Sequence, residues 1–301
     1  MRTLITGGAG FIGSAVTDKL QREGHEIAVL DNLSFGNREF INVPDKNFHL
    51  ADILDREAVE QVFSTFRPQN VIHLAAVHFI PWCNEHPFES SRINIAGTIN
   101  ILDSCRKYGV EKVFFASTAA VYPIYDHAVK ETDQTGPLDI YGLSKLTGEH
   151  LCNEFHLMTG IPVIICRFFN AFGPNETNPH LIPEIQKQVN SGSRRIKLGN
   201  LAPKRDFIHT YDMANAVFTL INKVNAGIDT YNLGRGIEYS VTEIVDSFAR
   251  QLGEKIEIET DPARVRKVER MHLLADVSKL KSLGWKPETG IDEGISTLIE
   301  K

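Results

Sequence analysis

The stretch TGGAGFIG, Thr6–Gly13, stands between a short apolar run, Arg2–Thr6, and a helical pattern that opens at Phe11. Its glycines fall in two overlapping registers, Gly8-x-Gly10-x-x-Gly13 and Gly7-x-x-Gly10-x-x-Gly13. Alone, such a string marks a tight strand-to-helix turn. Between a strand and a helix it offers more: backbone lacking Cβ atoms approaches a pyrophosphate closely, and the helix N-terminus supplies unpaired N–H groups and a positive dipole end. Asp31 closes the next apolar run, eighteen residues beyond Gly13, where a carboxylate accepts hydrogen bonds from an adenosine ribose. That carboxylate would face the 2′-phosphate of NADP, and the next residue is Asn32 rather than an offsetting arginine, so the pair selects NAD.

Outward from this unit, short β-branched runs alternate with longer helical patterns, the signature of a parallel sheet with crossover helices. Strands are predicted at Arg2–Thr6, Glu26–Asp31, Phe48–Asp52, Asn70–Ala75, Lys112–Ser117 and Val163–Arg167. Helices are predicted at Phe11–Glu23, Arg56–Phe66, Ser91–Tyr108 and Ile140–Thr159, each with glycine or proline just past its end. Beyond Phe172 the rhythm degrades through a Pro/Asn-rich loop, GPNETNPHLIP. There the pattern predicts helices near Pro183–Asn190, Tyr211–Val224, Val241–Gln251 and Ile291–Glu300 and a strand at Lys255–Thr260. The expected fold class is α/β: a Rossmann-type doubly wound parallel sheet with a smaller mixed α/β C-terminal substrate domain. Residues 1–170 form the NAD-binding domain in this reading, with parts of 205–235 returning to it, and 171–301 mainly the substrate domain.

The 301 residues carry 42% hydrophobic and 23% charged side chains and a formal net charge of −6. Such a chain lacks the basic field a general nucleic-acid binder needs, so any anionic ligand must be held by local cations. Cys83, Cys105, Cys152 and Cys166 have neither C-x-x-C spacing nor the density of a disulfide framework, and no metal site is expected. With no basic-then-apolar leader and no apolar run long enough to span a bilayer, a cytoplasmic protein is expected.

Tyr141 and Lys145 lie four apart in the helical stretch YGLSKLTGEH and so share one face. Ser117 and Thr118 end a predicted central strand, at the sheet edge where open α/β proteins bind ligands. An ammonium and a cationic nicotinamide ring near a tyrosine favour its phenolate. Tyr141 could then take a proton from an alcohol whose carbon gives up hydride.

An ordered series of motifs adds to this: T-G-G-A-G-F-I-G, D-N-L-S-x-G at Asp31–Gly36, H-L-A-A at His73–Ala76, Asn94 with Gly97-Thr98, S-T before V-Y, and Tyr141-x-x-x-Lys145. R-F-F-N-A-F-G-P at Arg167–Pro174, R-D-F-I-H at Arg205–His209 and L-G-W at Leu283–Trp285 complete it. Over essentially its whole length the chain resembles the extended short-chain dehydrogenase/reductase family, and within it the nucleotide-sugar epimerases of the UDP-glucose 4-epimerase kind. The resemblance implies that Gly7, Gly10, Phe11, Ile12 and Gly13 hold the NAD pyrophosphate. Asp31, Asn32, Ser34 and Gly36 would take the adenosine ribose and its phosphate, Asp52 and Ile53 the adenine. Ala75, Ala76, Asn94 and Lys145 would position the cofactor further along. Thr118, with Ser117 beside it, matches the catalytic hydroxyl, and Tyr141 the acid/base. Asn170, Arg205 and Arg266 match diphosphate-binding positions and Glu269 the acid that meets the nucleotide's ribose. A homodimer built on helices Ser91–Tyr108 and Ile140–Thr159 is also implied.

Relatives that dehydrate a sugar carry an Asp-Glu pair where this chain has Ala119-Ala120. Two methyl groups transfer no proton, which leaves reversible oxidation at one carbon: 4-epimerisation of a UDP-sugar through a 4-keto intermediate that receives its hydride back on the opposite face. Three positions depart from the common pattern. Pro123 replaces a glycine, His78 stands where lysine or glutamine is frequent, and His180 replaces an asparagine close to the sugar. His180 could pair with a carboxylate, which keeps UDP-glucuronate open as substrate. Leu273 matches the position opposite the sugar's C2 group, where a tyrosine excludes N-acetyl sugars. A nucleotide-sugar reductase and a non-catalytic NAD-binding regulator are the alternative functions.

Overall fold

Runs rich in valine, isoleucine and phenylalanine form strands because branched and aromatic side chains suit a pleated surface buried on both sides. The first six are β1 (Arg2–Thr6), β2 (Glu26–Asp31), β3 (Phe48–Leu50), β4 (Asn70–His73), β5 (Lys112–Thr118) and β6 (Val163–Phe168). Between them run α1 (Phe11–Arg22), α2 (Arg56–Phe66), α3 (Ile80–Glu85), α4 (Pro87–Ser91), α5 (Gly97–Tyr108) and α6 (Ile140–Thr159). The second part contributes β7 (Asn170–Phe172), α7 (Leu181–Asn190), β8 (Arg195–Leu198), β9 (Lys204–His209), α8 (Thr210–Lys223) and β10 (Ile228–Leu233). It closes with β11 (Glu238–Ser240), α9 (Val241–Leu252), β12 (Glu257–Thr260), α10 (Ser278–Ser282) and α11 (Ile291–Ser296). The structure is a computed structural model that describes residues 1–264 and 270–299.

A seven-stranded sheet runs in the order β10-β6-β5-β4-β1-β2-β3, and every pairing in it is parallel. The chain reverses its direction of travel across the sheet between β1 and β4, which opens a crevice at their carboxyl ends. Successive strand residues alternate between two cores. Ile5, Val29, Ile72, Phe114 and Ile164 face one side, with residues of α1 and α8. Leu4, Leu30, Val71, Val113, Phe115 and Val163 face the other, with residues of α2, α5 and α6. Each fully buried side chain of this size contributes about 1.5–3 kcal/mol. A third core, around Phe172, Ile185, Ile196, Phe207 and Phe248, belongs to the smaller region. That region holds a three-stranded sheet, β11-β9-β7, and the parallel pair β12-β8.

The predicted helix Ser91–Tyr108 is not continuous. Arg92–Ala96 form a π turn between α4 and α5. The turn carries Asn94, whose amide bonds both backbone groups of Val77. The helix predicted to reach Glu300 ends at Ser296, and the predicted strand from Lys255 starts at Glu257. Strands β7, β9, β10 and β11 carry no clean alternation, and β8, though alternating, is only four residues long.

Candidate active site

The carboxyl ends of β1, β2, β4, β5 and β6 face the smaller region across a cleft of about 1160 Å³. Apart from Asn94, every described residue expected at the site lines it. Arg266 and Glu269 lie outside the described residues.

At one end the glycine turn is a cradle that admits no side chains. A Cβ on Gly13 would stand 2.0 Å from the Gly7 carbonyl oxygen, and one on Gly7, at φ +72°, would stand 2.7 Å from the Ala75 nitrogen. Gly10 opens α1 with no side-chain cap, and the first turn has no acidic residue, so its N–H groups face the cleft. Asp31 is held by backbone donors: Ala9 N to Oδ2 at 3.0 Å and Leu33 N to Oδ1 at 2.8 Å. Burial raises its pKa, the two N–H bonds opposing. Asn32 donates to Asp52 Oδ2 at 2.8 Å, so two carboxylates line this end of the cleft. A 2′-phosphate would be repelled there, and the residues present fit NAD.

At the other end Asp139 caps α6 by accepting from Gly142 N at 2.7 Å, a bond worth about 1 kcal/mol. Gly142 then lets the helix meet the strand end, since a Cβ there would stand 2.4 Å from the Ala120 oxygen. Thr118 Oγ1 accepts from Ala120 N at 3.1 Å, and the Thr118 hydroxyl draws the Tyr141 pKa down against the stronger upward push of burial. Lys145 is buried, with its ammonium 4.6 Å from the centre of the Phe115 ring. Burial lowers its pKa to about 8, with Cys152 and Glu149 opposing.

Ser117, next to Thr118 on the strand and lining the cleft, has its hydroxyl engaged by a carboxylate. It donates to Glu149 Oε1 at 2.5 Å, and Glu149 receives Arg167 Nε at 2.9 Å and Nη2 at 2.7 Å. Neighbouring strand residues face opposite ways, which commits the Ser117 proton to a buried ion pair. Asn94 is also engaged behind the cleft, with Val77 and with Ser144 Oγ at 3.0 Å. It shapes the loop after β4, in which Ala75 and Ala76 line the cleft.

Toward the smaller region, Arg205, Arg264 and Arg270 line the cleft of this acidic chain. Arg205 Nη1 donates to the Arg270 carbonyl at 2.7 Å, and Arg270 Nη2 to the Tyr122 carbonyl at 2.8 Å. Arg270 follows the matched Arg266 and Glu269 but no motif singled it out. Glu176 is another residue that the sequence reading missed: its side chain is only 5% exposed, and Oε2 lies 3.5 Å from His180 Nδ1. Its signal would have been a lone acid in a loop, which is no signal.

A parallel sheet with a glycine cradle at its switch point, and a threonine, tyrosine and lysine converging at the next strand end, define a dinucleotide-binding enzyme of the short-chain dehydrogenase/reductase type. Residues 3–234 match the family model described as the NAD dependent epimerase/dehydratase family. The UDP-glucose 4-epimerase of Bacillus subtilis is 33% identical over 97% of this chain and 94% of its own length. The Thermus thermophilus UDP-glucose 4-epimerase, solved in complex with NAD, superposes with a TM-score of 0.90 at 33% identity, covering 99% of this chain and 97% of its own. A UDP-N-acetylglucosamine 4-epimerase from Methanobrevibacter ruminantium, solved with UDP-N-acetylmuramic acid, superposes with a TM-score of 0.89 at 27% identity over 99% and 96%. The chain belongs to the NAD-dependent epimerase/dehydratase family, and NAD is its cofactor.

Proposed function

We propose that the protein interconverts the C4 epimers of a UDP-sugar of the UDP-glucose/UDP-galactose type. The observation that carries this is the reacting end of the cleft: Thr118 and Tyr141 meet there, and the next two residues, Ala119 and Ala120, present only methyl groups. NAD held against the glycine turn and Asp31 would supply the acceptor and donor of hydride at the sugar's C4. Thr118 orients the C4 hydroxyl while Tyr141 takes its proton, and the same phenol gives the proton back when the 4-keto sugar has turned over. Lys145 holds positive charge beneath the cofactor site and favours the ionised phenol. Arg205 pairs with the diphosphate through its planar fork, together with Asn170. Arg266 and Glu269 keep the diphosphate and ribose roles that the resemblance implies.

His180 supports a neutral sugar over UDP-glucuronate. Its ring already lies against the Glu176 carboxylate, which would repel a sugar acid. A homodimer follows the family pattern and is supported by exposed Ile99 on α5 and Leu143 on α6. Among the described residues no helix is long and apolar enough to cross a membrane, and the four cysteines are free and buried, in keeping with a cytoplasmic enzyme.

The test is incubation of the purified protein, with no cofactor added, with UDP-glucose, UDP-galactose, UDP-glucuronate and the N-acetylated sugars, followed by separation of products. Interconversion of the C4 epimers is expected. A 4-keto-6-deoxy product would refute the reading, a requirement for added NADH would favour a reductase, and NAD exchange without any turnover would favour a regulator.

A further inference from the structure

The connection from β7 to α7, Gly173–His180, is tied down at three places. Asn175 Nδ2 donates to Ser14 Oγ at 3.2 Å, Thr177 Oγ1 to the Phe35 carbonyl at 3.0 Å, and Asn178 Nδ2 to His78 Nε2 at 3.1 Å. The anchors are far apart in sequence. Ser14 follows the glycine turn on α1, Phe35 sits in the loop after β2, and His78 in the loop after β4. Since β1 and β4 are neighbours at the switch point, two anchors lie on one side of the crevice and the third on the other. A segment rooted in the smaller region therefore crosses the mouth of the dinucleotide crevice.

The local chemistry suits a fixed crossing. Asn175 adopts φ +70°, a left-handed conformation that asparagine tolerates better than most residues. Gly173, at φ +152°, leaves no room for a Cβ, which would stand 2.3 Å from Thr210 Oγ1. The Asn178 side chain is buried, and its bond requires a neutral imidazole as acceptor. Burial lowers the His78 pKa to about 4, which keeps that acceptor available across the neutral range.

We propose that Gly173–His180 is a cofactor strap, and that Asn175, Thr177 and Asn178 set how long NAD stays in the cleft. The inference rests on the epimerase reading: an enzyme that returns its hydride to the same sugar regenerates its cofactor every cycle, so release serves no step. A reductase would need the opposite, a strap that opens each turnover.

The experiment loads the intact protein with radiolabelled NAD, dilutes it into excess unlabelled NAD and follows loss of label. Asn175→Gly keeps the left-handed backbone and removes only the amide, Thr177→Val removes the hydroxyl, and Thr177→Ser restores it. With about 0.5–1.5 kcal/mol per bond, each single change should speed release from roughly twofold to about tenfold and the double change multiplicatively. Thr177→Ser should release at the wild-type rate, and the melting temperature of the cofactor-stripped protein should fall by no more than a few degrees in any of the four. Wild-type release from the double variant overturns the strap while leaving the epimerase reading intact. A wild-type protein that takes up no NAD overturns both.

Discussion

Ser117 on β5 donates to Glu149 on α6, and the same carboxylate is gripped by two nitrogens of Arg167 on β6. Arg167 Nη1 then donates to the Tyr122 phenol at 2.8 Å, and Tyr122 to Asn232 Oδ1 on β10 at 2.8 Å. This knot joins three strands and a helix directly behind the residues assigned to catalysis. Removing one ion of a buried pair leaves the other uncompensated, so Glu149→Ala is expected to destabilise the fold by about 3–5 kcal/mol in urea titration. Ser117→Ala should cost about 1.5–3 kcal/mol and leave kcat within a few-fold. An equally large loss of kcat from Ser117→Ala and from Thr118→Val would show that Ser117 reacts.

Tyr141→Phe keeps the ring and loses the proton carrier. Turnover of the UDP-sugar should fall by about 10²–10⁴-fold, while the protein still carries NAD through purification. Preserved turnover would move the acid/base role elsewhere.

Lys145 gives the pH dependence its sign. Its folded pKa of about 8 lies below the unfolded lysine value of about 10.4, so between these values the unfolded chain binds more protons and stability rises with pH. Below about pH 8 the full penalty of burying the ammonium is present. In the cofactor-stripped protein, Lys145→Met should gain most over the wild type at pH 7, and the gain should shrink as pH approaches about 10. A constant difference in urea midpoint across that range would contradict the burial argument.

Gly13→Ala would force a Cβ to 2.0 Å from the Gly7 oxygen. The turn must distort, and isothermal titration should show NAD affinity reduced by at least about tenfold, as for loss of 1.4 kcal/mol. Unchanged affinity would mean that the cofactor does not lie against this turn.

Leu273 lines the cleft at the position matched to the sugar's C2 group. Leucine leaves space there, so N-acetylated UDP-sugars should be turned over beside the plain ones. Leu273→Tyr should lower kcat/KM for the N-acetylated sugars by about tenfold or more, as expected for crowding worth 1–3 kcal/mol, and spare UDP-glucose. Equal loss on both substrates would place the C2 group elsewhere.

Much of the larger sheet was legible because its strands are buried on both faces and its helices end in glycine or proline. Arg2–Thr6, Glu26–Asp31, Arg56–Phe66 and Ile140–Thr159 coincide with the observed elements. The π turn at Arg92–Ala96 was not legible, since nothing local distinguishes it from a regular turn. Nor was the strand Ile228–Leu233 itself, within the 205–235 stretch expected to return to the larger domain: its place beside β6 is a pairing between residues distant in the chain.

By itself the sequence determined the glycine cradle, the acid at the end of β2, the Tyr141–Lys145 spacing and the pair of alanines, because these are local: fixed separations on one strand end, one turn or one helix face. Only the tertiary structure decided that Ser117 braces Glu149, that Asn94 shapes a loop, and that Asn175, Thr177 and Asn178 reach across the cleft. A hydroxyl or an amide bonds to whichever partner packing brings within about 3 Å, and that partner is chosen by the fold, not by its neighbours in the chain.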